Sequence, residues 1–139
     1  LIYKKKFQEF KFDENITSYG YEDVLFEIKS PLKFKYINNP LYHIGLKKTN
    51  NFIEDCESGL KNISTYTHEK KVIQKIKILR YWRNISLIKL DRFIVILFKI
   101  FQKRIIENLY SSNPSLFLFQ CYKIGYLCQV KIESSKKRN

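Results

Sequence analysis

Alanine and methionine are absent from this chain; tryptophan occurs once, proline and cysteine three times each, and glycine four times. Each scarcity excludes something. The sequence has no phosphate-binding loop, no dinucleotide fingerprint, no nucleophile elbow and no HExxH zinc motif. Cys56, Cys121 and Cys128 are odd in number and lack CxxC spacing. They argue against a disulfide scaffold and a zinc site, and read as buried thiols. His43 and His68 stand 25 positions apart with no ligand spacing between them, so no metal is expected. The longest strongly apolar run, "FIVILFKIF", is uninterrupted only from Phe93 to Phe98, with Lys89, Asp91 and Arg92 before it and Lys99 inside it. A membrane span needs about 20 largely uncharged residues, so this run reads as a buried helix. "YKKKFQEFKF" near the start has no hydrophobic h-region, so no secretory signal is expected. The 13 acidic residues make no catalytic pairing in the sequence. Neither an enzyme nor a cofactor is expected.

What is present is apolar, aromatic and basic. Apolar residues make up 45% of the 139 positions and aromatics 16%, which excludes a wholly disordered chain and allows one domain with a modest core. Lys, Ile, Asn, Phe and Tyr are abundant, the residues of AT-rich codons, which fits an AT-rich genome such as an organelle's. The net charge of +13 is unevenly placed. Residues 1–69 carry ten basic and ten acidic side chains. Residues 70–104 carry eleven basic residues and one acid, Asp91, a balance of +10; residues 105–139 add five basic and two acidic. Such asymmetry points to a polyanionic partner for the second half, against the blander reading of a solvated basic helix face.

Along the chain, residues 1–23 mix aromatics with charges and read as an N-terminal extension. "VLFEIKSP" is a short apolar segment stopped by Pro31. "LKFKYINNPLY" is compatible with a short helix. After a turn at His43-Ile44-Gly45, "LKKTNNFIEDC" restarts a helical pattern, and "ESGLKNIST" reads as a link around Gly59. Thr67 can cap a helix over "HEKKVIQKIKIL", in which Val72, Ile73, Ile76 and Leu79 share a face. "YWRN" breaks that pattern. The longest helix is expected from about Leu87 to Leu109, with Leu90, Ile94, Leu97, Phe101 and Ile105 as its inner stripe. Pro114 ends it, and residues 111–139 read as a tail that turns basic. "LFLFQCY" and "IGYLC" are too hydrophobic for a free arm, so residues 116–128 are expected to pack on a protein neighbour or on the long helix, leaving 131–138 to reach RNA.

The turn at 43–48 has a possible chemistry. A tight turn before a helix offers unpaired backbone N–H groups and the positive end of the helix dipole. Gly45 permits close approach, and Lys47 and Lys48 add charge. The segment alone fits a plain helix–helix connection equally well.

The order of these features resembles the small-subunit ribosomal protein thirteen (S-thirteen) family over about residues 24–139. "FEIKSP" matches the family's short start, "LYHIGLKKT" its hairpin and "YTHEKKVIQKI" the start of its next helix. "LDRFIVILFKIF" matches its longer helix, and "CQVKIESSKKRN" its basic end. His43 stands where the family hairpin has its first glycine, and the family's arginine- and glycine-rich segment is reduced to "YKIGYLCQ". The "GLKK" turn also resembles large-subunit protein thirty, a family about half this length.

The resemblance implies a mainly α fold: a small helical domain over 24–110 containing a helix-hairpin-helix, a long helix, and an extended basic C-terminal tail over 111–139. It implies a structural component of a mitochondrial small ribosomal subunit, organelle-encoded and located in the matrix. Such a protein binds rRNA in the subunit head and helps form an intersubunit bridge, next to small-subunit protein nineteen and large-subunit protein five, with its tail toward tRNA. The expected RNA-binding residues are His43, Gly45, Lys47 and Lys48 in the turn, and Lys71, Lys75, Arg80, Arg83, Lys89, Arg92, Lys99, Lys103 and Arg104 in the basic stretch. Lys131, Lys136, Lys137 and Arg138 are expected in the tail. No membrane span is expected. A basic accessory subunit of a mitochondrial respiratory membrane complex, or a free nucleic-acid-binding factor, remains the alternative.

Overall fold

A computed structural model describes residues 12–14, 16, 18–33, 38, 40, 45 and 47–136. Helix accounts for 72% of the described residues, in six segments with no strand among them. These are α1 (Glu22–Lys29), α2 (Thr49–Ser64), α3 (Lys70–Lys75), α4 (Lys77–Leu87), α5 (Asp91–Leu109) and α6 (Leu116–Lys136). The fold is therefore mainly helical, as expected.

The first helix is written locally. Glu22 and Asp23 stand in its first turn and Lys29 in its last, complementing the helix dipole. Ser30 is extended (ψ 140°) ahead of Pro31, whose ring excludes the helical region for the residue before it. Just upstream, the chain lies against α2. Asn62 donates through Nδ2 to the carbonyls of Ser18 (2.9 Å) and Gly20 (3.0 Å), and accepts from Ser18 Oγ. Gly20 has φ 117°, and a Cβ there would sit 2.7 Å from the Cα of Gly59. Both glycines are spent on this backbone approach. Gly59 accordingly does not open a link: α2 runs through it to Ser64.

The expected single helix from Thr67 is two helices. The chain turns extended at Ile76 (ψ 110°) between α3 and α4. The reason is burial. On one straight helix Ile78 would lie opposite Val72 and Ile76. With the break, Val72, Ile73, Ile76, Ile78 and Leu79 are all buried. Thr67 caps nothing; its hydroxyl donates to the Ser64 carbonyl, and Glu69 holds the N-cap position. "YWRN" does not break the pattern either, because α4 continues to Leu87.

The largest departure is at the C-terminus. The stretch expected to be an extended basic tail is α6, 21 residues long and the longest helix among the described residues; of the two supports expected for residues 116–128, it takes the long helix. Ser115 caps it, its Oγ accepting from the Leu118 amide at 3.3 Å. Asn108 closes the link from α5 by accepting the Ser115 amide at 2.9 Å. The helix then runs back antiparallel along α5, and its apolar residues complete two cores. Leu127 belongs to a cluster with Leu25, Leu60, Ile63, Val72 and Leu79. Tyr122 belongs to a second with Ile53, Phe98, Ile105 and Leu109. Tyr126 packs against both.

Because α6 covers α5, the buried face of α5 is not the expected stripe. Val95, Phe98, Ile105 and Leu109 are buried, whereas Leu90 and Phe101 are exposed and Ile94 and Leu97 half-buried. Of the five expected residues only Ile105 faces inward. Gly125 sets this contact. A Cβ on it would meet the Phe98 ring at 2.5 Å and the Phe98 Cβ at 2.8 Å. Gly125→Ala should therefore lower the unfolding free energy by about 2 kcal/mol in urea titration. The loss should be non-additive with Phe98→Ala, which removes the clash. Simple additivity would show that the two residues do not share this contact.

Three tyrosines tie the layers together. Tyr66 donates to Asp13 Oδ2 at 2.7 Å, and Tyr122 donates to Glu57 on α2. Burial, then the Asp13 hydrogen bond, pushes the Tyr66 phenol up to about 12. Burial and Glu57 also push Tyr122 and Tyr126 upward. These are raised folded-state values, so their stabilising contribution is full below the ordinary phenol value of 10.0 and lost as pH rises through about 12. Alkaline titration should show the helical circular-dichroism signal and part of the tyrosinate absorbance changing together between about pH 10 and 12. Complete tyrosinate absorbance near pH 10 with the helix signal intact would contradict this arrangement.

Candidate nucleic-acid interface

Sequence places eleven basic residues on α3, α4, α5 and their connections, and all eleven are exposed. Spacing decides which stand together. Lys71 and Lys75 are one helical turn apart on α3. Lys77, Arg80 and Arg83 recur every third residue along α4. Arg92, Lys99 and Lys103 make one stripe on α5, at i, i+7 and i+11, and Arg104 lies off it.

None of the eleven forms an ion pair among the described residues. The acids are engaged elsewhere. Asp13 and Glu69 both meet Lys29 at 3.3 Å, and Asp55 pairs with Lys47. Asp91, the single acid of the basic stretch, opens the first turn of α5 at the positive end of its dipole. A row of exposed cations without counter-charges raises the local potential and attracts a polyanion.

Two grooves collect these cations. The first, about 810 Å³, lies between the α3–α4 junction and α6 and is lined by Lys75, Lys77, Tyr81, Gln120 and Lys123. Tyr81 is 65% exposed. An aromatic face beside three lysines offers a base a stacking surface and its phosphate a charge. No side chain caps the N-terminus of α4 that opens here, so its dipole adds to the field. The second groove, about 650 Å³, runs between the N-terminal half of α5 and the C-terminal half of α6. Arg92, Lys99 and Lys136 line it together with Gln129, Asp91 and Glu133.

Not every expected residue is free for a partner. Lys131 Nζ donates to the Ser64 carbonyl (3.1 Å) and to Thr67 Oγ1 (2.7 Å), and lies 5.5 Å from the Trp82 ring centre. It staples α6 to the end of α2. Lys47 pairs with Asp55 on α2 and lies over the Tyr19 ring at 4.3 Å, and the Asp55 hydrogen bond pushes its pKa upward. Lys48 is exposed at the N-cap position of α2, and Gly45 has φ 97° with open space around it. Lys89 has φ 57° and closes a Schellman turn at the end of α4, where Leu90 N donates to Ile85 O and Lys89 N to Ser86 O. His43, Lys137 and Arg138 lie outside the described residues.

Tyr81, Lys77 and Lys123 were not among the expected site residues. Lys123 escaped because its segment reads as a tail. The available signal was its four-residue spacing from Phe119, whose ring it overlies at 4.7 Å. Comparison with known proteins gives no matching family model, no matching curated protein and no matching solved structure.

The two kinds of lysine should separate in stability measurements. Lys99→Gln and Lys103→Gln should leave urea unfolding within about 0.5 kcal/mol of the native chain. Lys131→Gln should cost about 2 kcal/mol, because a charged donor to two acceptors is lost. Equal effects at the three positions would remove the distinction drawn between them.

Proposed function

We propose that this chain is a structural RNA-binding protein of a mitochondrial small ribosomal subunit, a divergent counterpart of the S-thirteen family. The observation that carries this reading is the set of eleven exposed cations between residues 70 and 104 with no ion-pair partner among the described residues. Its role is scaffolding, not catalysis. Lysines and arginines neutralise phosphates, and the release of counterions drives binding. Such contacts fix position without reading sequence.

In this reading α3, α4 and α5 lie against rRNA in the subunit head, with Tyr81 set beside Lys75 and Lys77 for an unpaired base. Small-subunit protein nineteen and large-subunit protein five are the neighbours the resemblance supplies. Contact with tRNA falls to the chain from Lys136 onward, because the preceding residues form α6.

A second reading draws on a different observation. Phe93, Ile96 and Ile100 of α5 are each more than half exposed, which suits a basic accessory subunit of a respiratory membrane complex. No helix among the described residues is long and apolar enough to cross a membrane, so such a subunit would sit against the complex's other chains.

Binding to rRNA fragments at increasing salt separates the two. If about five cations meet phosphates, log K should fall against log salt with a slope of about −4. Lys75→Gln with Lys77→Gln should reduce that slope by about 1 to 2, whereas changing Lys47 should leave it nearly unaltered. A slope near zero, or co-sedimentation with respiratory complexes instead of small subunits, would decide for the second reading.

A further inference from the structure

We infer that the groove between α5 and α6 is a docking site for an amphipathic helix of a partner protein, one that carries carboxylates along the flanks of its apolar face. This surface opens on the α5 side of Cys121 and Ile124, which it shares with the first cationic groove. Its walls are Ile94, Leu97 and Phe101 from α5 and Leu118, Cys121 and Ile124 from α6, enclosing about 440 Å³. Arg104 is the sole charged residue lining it among the described residues.

The groove continues into an apolar face that no described residue covers. Phe93 is 54% exposed and Ile100 64%. Taken around its axis, α5 is apolar on the side against α6, apolar on the groove side and apolar beyond it. Its charged residues are the stripe of Arg92, Lys99 and Lys103, with Asp91, Arg104 and Glu107 off it. A helix apolar nearly all round is a buried helix, and an exposed apolar surface bordered by charge marks an interaction site. Two antiparallel helices with a furrow between them match the helix-in-groove mode of recognition, in which side chains at i, i+3 or i+4, and i+7 fill the furrow.

Charge selects the occupant. Anything entering the furrow meets Arg104, and Glu107 is the sole acid of α5 after its first residue; the Arg92–Lys99–Lys103 stripe lies on the other flank of the helix. A second copy of the chain, itself at +13, would bring the same cations against themselves. Nucleic acid supplies charge, but a base stacks on a flat ring face and does not fill a furrow walled by Ile94, Leu97 and Leu118. A bilayer supplies both, but its plane does not enter a furrow. An acid-flanked helix satisfies the cavity and pairs with Arg104.

Cys121 reports on occupancy. It is half-buried in the groove wall. The other two thiols are less reactive, since burial pushes Cys56 up to about 11 and Cys128 up to about 12. The probes are a synthetic amphipathic peptide with leucine at helical spacing and glutamate on its flanks, its isomer with lysine for glutamate, and phosphatidylglycerol vesicles. The glutamate peptide should slow alkylation of Cys121 and bind at least about tenfold more tightly than the lysine isomer, a difference of about 1.4 kcal/mol. Arg104→Glu should narrow or invert that preference. Phe101→Gln, at an exposed position, should weaken the peptide while leaving rRNA affinity unchanged, so this result stands or falls apart from the RNA reading. Equal affinity of the two peptides, binding of neither, protection of Cys121 by self-association, or protection by vesicles alone would each overturn the inference.

Discussion

The seating of α6 against α5 and α2 is the constraint on which the rest of the molecule depends. It rests on one close approach, Gly125 against Phe98, with the Tyr122 hydroxyl bonded to Glu57 on the opposite side. A glycine inside a helix costs about 1 kcal/mol relative to alanine. Here the missing Cβ lets an aromatic ring lie on the backbone, and Phe98 meets Tyr122 edge to face at 5.4 Å. With α6 so placed, Leu127 reaches the cluster built by α1 to α4 while Tyr122 fills the one built with α5. Without it both clusters would be open to water.

The charge distribution follows from the same arrangement. Acids of the first half are engaged inside the fold: Asp13 with Tyr66 and Lys29, Asp55 with Lys47, and Glu57 with Tyr122 of α6. The two lysine pairs contribute little to stability, but they cancel charge. The second half has almost no acids to cancel with, so the cations of α3, α4 and α5 remain uncompensated on the surface. Lys131 and Lys99 illustrate the difference. They are chemically identical, but one is held by Ser64, Thr67 and Trp82 and the other faces solvent.

These two features divide the surface. Grooves lined by lysine suit a polyanion, and the furrow on the opposite flank of α5 suits a protein. The two kinds of surface bind by different physics: phosphate contacts position without reading sequence, while buried apolar contacts supply packing that salt does not screen.

Much of this was legible in residue order. The mainly helical class, the stop at Pro31, the apolar set Val72, Ile73, Ile76 and Leu79, the end of α5 before Pro114 and the basic stretch follow from period, punctuation and composition, which act within a few residues. The break at Ile76, the continuity of α2 through Gly59 and the inward face of α5 were not legible. Each depends on which distant segment arrives: Gly20 at Gly59, α6 at α5. α5 is the clearest case. A helix apolar on most of its circumference has no preferred inner stripe until a neighbour chooses one, and Gly125 made that choice for Phe98. The same holds for the site. The sequence by itself determined that residues 70–104 are cationic, because charge is a property of the residue. Which lysines face a partner and which, like Lys131, are consumed inside the fold was decided only by tertiary structure, because a hydrogen bond needs its acceptor within about 3 Å, and those acceptors lie more than sixty residues away along the chain.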